Sequence, residues 1–221
     1  HEITHQSVQE GAFVLASVYR FFPRDTLHLA VIDPGVGGKR RAIAVRTERY
    51  TFVAPDNGLL TYALREETVL EAVALTNRAY WRDAQISDTF HGRDLFAPVS
   101  AHLIKGVPLA SFGPPINDLV QLNWPIPSQK EGGRIVGHII HIDHFGNLVT
   151  DIPATLVPQR TDLQVVLETA RIKGLQTSYA SVARGQCLAI IGSYGTLEIA
   201  VREGSAAQAL EAIVGDEVQV E

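Results

Sequence analysis

A run of prolines and glycines divides the chain, and no other feature narrows its possible folds so much. Gly113-Pro114-Pro115, then Trp124-Pro125-Ile126-Pro127, then Gly132-Gly133 deny residues 114–133 regular structure, because proline removes a backbone donor and glycine adds conformational freedom. The stretch reads as a linker between a domain at 1–113 and another at 134–221. On its N-terminal side, residues 8–22 carry Phe13, Val14, Ala16, Val18, Phe21 and Phe22 at helical spacing and stop at Pro23, which predicts a helix. Residues 26–32 run apolar into Asp33-Pro34-Gly35, predicting a buried strand that ends in a loop. Strands are also expected at 42–45, 50–54 and 69–75, and helices at 58–64 and 95–104, which together make a layered α/β/α domain. On the C-terminal side come only short β-type runs, at 134–142, 148–150, 163–167, 188–191, 197–201 and 217–220, so the second domain should be mostly antiparallel and barrel-like.

Composition removes several functions. Of the 221 residues, 46% are hydrophobic and 19% charged, a balance that builds a core and excludes disorder. Lys plus Arg number 19 against 24 for Asp plus Glu, a formal charge of -5, so no positive field exists to hold nucleic acid. Apolar runs such as 13–19 fall short of the ~18 residues of a membrane span, and no basic-then-apolar leader opens the chain; a soluble protein is expected. One cysteine, Cys187, makes no internal disulfide and fits the reducing cytoplasm. The chain has no methionine and opens His1-Glu2-Ile3, as would a chain that starts inside a longer natural sequence.

Four segments could carry chemistry. Asp33-Pro34-Gly35-Val36-Gly37-Gly38-Lys39-Arg40-Arg41 fails as a dinucleotide loop, since a strand-like run follows it, and as a Walker loop, since Arg40 follows Lys39. It is either a carboxylate at a strand's end with two guanidiniums near it, or a glycine turn with a surface ion pair. Thr89-Phe90-His91-Gly92-Arg93-Asp94 precedes a helix and is either a ligand site at that helix start or a cap made by Thr89 or Asp94. Asp143-His144-Phe145-Gly146-Asn147 suits a flat polar heterocycle, by stacking and amide hydrogen bonds; the alternative is an Asx-type turn with Phe145 in the core. No metal is expected here, because His138 and His144 lie roughly 20 Å apart along an extended strand and His141 points the other way. Gly192-Ser193-Tyr194-Gly195 and Gly204-Ser205-Ala206-Ala207 read as a hairpin turn and a helix start.

Asp33-Pro34-Gly35-Val36-Gly37, Ala54-Pro55-Asp56-Asn57-Gly58-Leu59-Leu60, Phe90-His91-Gly92-Arg93-Asp94, Phe145-Gly146-Asn147 and Gly204-Ser205-Ala206-Ala207 occur in that order. Over nearly its whole length the chain therefore resembles the S-adenosylmethionine hydroxide adenosyltransferases, relatives of the fluorinase and chlorinase enzymes. The resemblance implies conversion of S-adenosylmethionine and water to adenosine and L-methionine, without cofactor or metal. It implies a homotrimer whose active sites lie between one subunit's N-terminal domain and its neighbour's C-terminal domain. The triad of the hydroxide branch falls on Asp33, Arg40 and His91, with His91 oriented by Asp33; the halogenating branch has Tyr-Ser where this chain has His91-Gly92. Resemblance further places the methionine ammonium near Asp143, its carboxylate near Ser193, adenine near Phe145 and Asn147, and the base edge near the backbone of Val201 and Glu203, with Thr89 and Gly92 at the reacting centre. Two features depart from the family pattern. Its opening Thr-Asp-Phe-Gly strand, whose Asp resembles a ribose ligand of the halogenating relatives, does not occur in these residues, and Tyr194 stands where the fluorinase has an arginine. Halide-dependent substitution and a non-catalytic adenosine-binding module are the alternative readings.

Overall fold

The computed structural model describes residues 3–123, 126–158, 160, 162–168 and 170–221; Trp124 and Pro125 of the expected linker lie outside them. Its contacts fall into two compact units, Ile3–Asn123 and the residues after it.

In the first unit, β1 (Leu27–Leu29), β2 (Ala42–Thr47), β3 (Thr51–Pro55) and β4 (Val69–Ala74) form a sheet of order β1-β3-β2-β4, with β1 parallel to β3 and the other pairs antiparallel. Strand alternation sends successive side chains to opposite faces. Ile43, Val45, Phe52, Ala54 and Ala72 join Ala12 of α1 (Val8–Val18) and Ala63 of α2 (Thr61–Arg65) in one core cluster. On the other face Ala42, Ala44, Val53 and Val73 meet Leu95, Phe96 and Val99, the last on α3 (Ala97–Ile104). The unit is a three-layer α/β/α domain.

Three elements depart from the sequence expectation. Residues 26–32 are not a buried strand: β1 covers three residues, and Leu29 and Val31 are exposed. β1 is outermost in the sheet, so Leu27, Ala30 and Ile32 reach the core clusters while the alternate side chains do not. The first helix ends at Val18 and tightens into a 3-10 turn, Tyr19–Phe21, before Pro23. The helix expected from residue 95 is preceded by a π-turn, Gly92–Phe96, in which the Ala97 amide donates to the Gly92 carbonyl. Residues 114–116 run along β4: the Ala74 amide donates to Pro114 O at 3.0 Å and the Ile116 amide to Ala72 O at 2.9 Å.

The second unit holds β5 (Ser128–Gln129), β6 (Ile135–Ile142), β7 (Leu148–Pro153), β8 (Gln164–Leu167), β9 (Ala170–Lys173), β10 (Leu175–Gln176), β11 (Cys187–Ile191), β12 (Thr196–Val201), α4 (Ala206–Ala209) and β13 (Glu217–Val220). The sheet runs β10-β11-β12-β7-β6-β13-β8-β9, with β5 paired to β6, and is antiparallel except at β10–β11. It curls as a nearly closed barrel around one cluster that includes Ile139, Leu148, Ile152, Leu163, Val165, Leu197, Ile199 and Val218. β5, β9 and β10 escaped the sequence reading because two to four residues, several of them polar or charged, leave no period to detect. Among the described residues no helix is long and apolar enough to cross a membrane.

Candidate active site

Two loops of the first unit bring Asp33, Arg40 and His91 together. Residues 33–38 make consecutive turns, with the Val36 amide donating to Asp33 O and the Gly38 amide to Gly35 O. These fold the loop back so that Arg40 Nε donates to Asp33 Oδ1 at 2.9 Å and Oδ2 at 3.0 Å, while Nη2 reaches Oδ2 at 2.5 Å. Nη2 also lies 2.7 Å from His91 Nδ1. Both ionic side chains are nearly out of solvent, 11% exposed for Arg40 and 6% for Asp33, so this is not the surface ion pair considered above.

The order of contact corrects one expectation. Asp33 does not orient His91 directly; the guanidinium stands between them, because its fork serves the carboxylate through Nε and Nη2 and still has a second Nη2 proton for the imidazole. A guanidinium only donates, so His91 Nδ1 accepts and the resting proton of the neutral ring sits on Nε2. Burial first, then the Arg40 charge, pushes the His91 pKa below its usual value, against opposing pulls from Asp33, Asp88 and Asp94. His91 is accordingly neutral at physiological pH.

The loop carrying His91 is pinned by Asp94, which the sequence offered only as a candidate helix cap. Asp94 is buried, and its carboxylate accepts from the Ser87 amide at 3.0 Å and from Arg93 Nε and Nη2 at 2.6 and 2.9 Å. Those bonds, led by Arg93, hold its pKa far below the usual carboxylate range. Neither Thr89 nor Asp94 caps the helix; Thr89 instead pairs its hydroxyl with Ser87 Oγ at 3.2 Å and remains exposed. Gly37, at φ +74°, fits against the Asp88 carbonyl, which a Cβ would meet at 2.3 Å, so the two loops dock backbone to backbone. Gly92 differs: a Cβ there would meet nothing within 4 Å. Packing does not demand that glycine, and the space before it is open to a ligand. The second arginine, Arg41, turns away from Asp33. Its Nε donates to Asp56 Oδ2 at 2.8 Å and its Nη1 to Asp118 Oδ1 at 2.7 Å.

In the second unit, Asp143 closes the β6–β7 turn on itself. Oδ1 accepts from the Phe145 and Asn147 amides, both at 2.9 Å, and Oδ2 from Asn147 Nδ2 at 3.0 Å. Of about four acceptor positions on a carboxylate three are used, leaving one for a ligand cation. The turn throws Phe145 outward to 75% exposure, which overturns the alternative that placed it in the core. Gly146, at φ +82°, lies against Ser205, whose Oγ a Cβ would meet at 2.1 Å, and the Ala207 amide donates to Gly146 O. The turn is thus seated on the start of α4, which Ser205 caps by accepting from the Gln208 amide.

Around Asp143 the structure gathers further side chains. Glu198 on β12 is buried and accepts from Tyr179 Oη at 2.7 Å. Burial raises its pKa, and the Asp143 charge adds to the rise. Tyr194 feels both carboxylates, behind burial as the main cause of its own raised pKa, so the exposed Ser193 lies in a turn beside this acidic centre. A lone acid amid Leu197, Ile199 and Ala200 was the available signal for Glu198; Tyr179 had none. Val201 is buried, its carbonyl already taken by the Gly204 amide at 3.1 Å. Glu203 adopts φ +55°, costly for a non-glycine residue, and its side chain pairs with Arg184 Nε at 2.6 Å. Val201 and Glu203 therefore share one turn, residues 201–204, and Ser193 lies in another, residues 192–195. Among the described residues no three His, Cys, Asp or Glu side chains form a metal-binding group.

An arginine held between a carboxylate and a neutral imidazole thus stands on loops of an α/β/α domain, which a β-barrel-like domain follows in sequence. Residues 1–113 match the SAM hydroxide adenosyltransferase N-terminal domain, and residues 137–219 its C-terminal domain. The chain belongs to that family. It is 39% identical to an (R)-S-adenosyl-L-methionine hydrolase of Salinispora tropica, over 100% of this chain and 84% of that protein. It is 35% identical to a protein of the same name from Thermus thermophilus, over 95% and 81%. A fluorinase of an Actinoplanes species is 33% identical over 74% of this chain and 61% of its own. Among solved structures, a conserved protein of Thermotoga maritima superposes with a TM-score of 0.90 at 36% identity, covering 100% of this chain and 86% of that one.

Proposed function

We propose that this protein hydrolyses S-adenosyl-L-methionine to adenosine and L-methionine. A water oxygen bonds to C5′ of the ribose as the C5′–sulfur bond breaks; the electron pair goes to sulfur, and a proton leaves the water. The sulfonium is already a cationic leaving group, so expelling the thioether calls for neither metal nor cofactor. The nucleophile is the obstacle, since water with a pKa of about 15.7 attacks poorly. The observation that carries the reading is Arg40, gripped by Asp33 and in contact with His91 Nδ1. Its charge stabilises developing hydroxide and His91 takes the proton. Because Arg40 occupies Nδ1, transfer requires either that contact to yield or the Nε2 proton to leave first. His91-Gly92, in place of the halogenating Tyr-Ser, and the hydrolase names of the relatives at 35–39% identity support water over halide.

The C-terminal groups supply binding. The free position on Asp143 takes the methionine ammonium and Ser193 its carboxylate. The exposed Phe145 ring stacks on adenine, and the Asn147 amide, with one Nδ2 proton and its oxygen uncommitted, pairs with the base. The backbone at Val201 and Glu203 borders the base edge. We place each site between the N-terminal domain of one subunit and the C-terminal domain of a neighbour in a homotrimer. Exposed Phe21, Ile104 and Ile126 support assembly, being apolar surface that an interface would cover. A cytoplasmic location fits the single Cys187.

The test is incubation with S-adenosylmethionine in halide-free buffer made with oxygen-18 water. Adenosine labelled at its 5′ oxygen, with equimolar methionine, is expected. No adenosine, with S-adenosylmethionine still raising the melting temperature, would sink the hydrolase and leave a binding module.

A further inference from the structure

Asp33 and Arg40 sit at the two ends of one glycine-rich loop, and the residues flanking those ends are both held by a second loop. Asn57 Nδ2 donates to the carbonyl of Ile32, which directly precedes Asp33, at 2.8 Å. Asp56 grips Arg41, which directly follows Arg40, through Nε at 2.8 Å and Nη2 at 2.6 Å. The Asp56 amide adds a bond to the Arg41 carbonyl at 2.9 Å. The holding loop is itself fixed. The second oxygen of Asp56 accepts from the Val120 amide at 2.9 Å, Asn57 Oδ1 accepts from the Leu59 amide at 3.2 Å, and the Asp56 side chain is only 2% exposed. Arg41 also donates from Nη2 to Asp118 O at 2.7 Å, so residues 118–120 brace the same point from behind.

The physical need for such a brace is plain. Gly35, Gly37 and Gly38 make the 33–40 loop deformable, whereas Arg40 must keep one Nη2 proton on Asp33 and the other on His91. Water attack at carbon is sensitive to small displacements of the groups around it.

We propose that Asp56 and Asn57 are positioning residues for the reaction: they fix the two ends of the 33–40 loop from outside, and so set the reach of Arg40 between Asp33 and His91. They touch none of the three side chains. The proposal rests on the hydrolase reading for its kinetic consequence but not for its structural one, and the test separates the two.

Asn57→Asp keeps the acceptor for the Leu59 amide, replaces the donor to Ile32 with an oxygen that repels its carbonyl, and adds a negative charge; Asp56→Asn removes one, so a His91 shift in the same direction in both variants is not a charge effect. Asp56→Asn keeps an acceptor for Val120 while weakening the grip on Arg41. Thr61→Ala is the control: it deletes the acceptor of the Leu122 amide, 2.9 Å away, and weakens the same region without touching the loop. Two quantities are read, turnover and the titration of the His91 imidazole by NMR. His91 is faced by Arg40, Asp33, Asp88 and Asp94, and of these Arg40 alone pushes its titration down. Asn57→Asp is expected to lower kcat by about tenfold to a hundredfold with KM nearly unchanged, and to move the His91 titration up toward the ordinary imidazole value; Asp56→Asn does the same to a smaller extent. Thr61→Ala lowers the melting temperature and leaves both readouts at the parent's values. A His91 titration that stays put in Asn57→Asp and Asp56→Asn, or that moves as far in Thr61→Ala, overturns the proposal. If the parent protein does not turn over, the hydrolase reading fails while the titration still decides the clamp.

Discussion

The two polar centres of this chain are built on opposite principles. The Asp143 turn is local: its three side-chain acceptances all come from within four residues. The Asp33–Arg40–His91 centre spans 58 positions of sequence and unites three side chains on two loops, each loop anchored by other residues again. The side-chain bonds of a local turn form as soon as its strands pair, even where its direction is set by a contact further along the chain. A distributed centre inherits every error in the elements that carry it. Binding groups can be placed by the first device, but a charge that must touch two partners at once needs the second.

The sharpest way to break this comparison is Arg40→Ala. It leaves the Asp33 carboxylate buried without its cation, an arrangement that costs about 3–5 kcal/mol in comparable sites. It also removes the charge proposed to stabilise hydroxide, so kcat should fall by about 10²–10³. Denaturant unfolding and steady-state turnover would measure the two losses, and an active, undiminished variant would remove Arg40 from the chemistry. Asp143→Ala comes next. Losing the acceptor of three hydrogen bonds should cost about 1–3 kcal/mol, and the proposed loss of the ammonium contact should appear in KM more than in kcat. Equal falls in kcat and kcat/KM would mean that Asp143 acts in the transition state instead.

Phe145→Ala probes the same turn without breaking it. An exposed ring contributes little to stability, so the melting temperature should stay within what about 0.5 kcal/mol allows. Removing a stacking platform for adenine should weaken adenosine binding by about 1–3 kcal/mol, read by calorimetry. Smallest is a pH effect outside both centres. The His28 ring stacks on Phe52 with centroids 5.2 Å apart and meets Tyr19 and Tyr50 edge-on, with Nε2 buried and unpartnered. Burial lowers its pKa, against a weaker pull upward from Glu67. The folded state thus binds a proton less readily than the unfolded one. Its contribution is fully present above the ordinary imidazole pKa of about 6.5 and declines as pH falls from there toward the lowered value. Melting temperature against pH should lose that slope in His28→Phe.

What could be read from sequence follows the same division. The continuous apolar runs of β2 and β3, buried on both faces, and the helical period of α1 announced the layered domain. The Asp143 turn was legible in its chemistry though not in its direction: nothing in five residues says that Phe145 faces outward, which depends on Gly146 resting against Ser205, 59 positions later. For the distributed centre, residue types alone left a surface ion pair as good a reading as a site. Five motifs in family order pointed to Asp33, Arg40 and His91, but only the folded chain places Arg40 in the middle. Asp56 and Asn57 lay inside one of those motifs and still carried no role, since a donor to a backbone carbonyl 25 positions away leaves no pattern in sequence.

The glycines divide the site into territory that protein engineering can and cannot use. At Gly37 and Gly146 a side chain would collide with the Asp88 backbone and with Ser205; at Gly195 it would have room, but the φ of +75° strains any L side chain; at Gly92 it would meet nothing within 4 Å. Saturation libraries aimed at an altered nucleophile should therefore vary Gly92 freely and hold Gly37, Gly146 and Gly195 constant. Variants at Gly92 would sample new specificities on an intact scaffold, while most of those at the other three would be lost to misfolding before any selection could act on them.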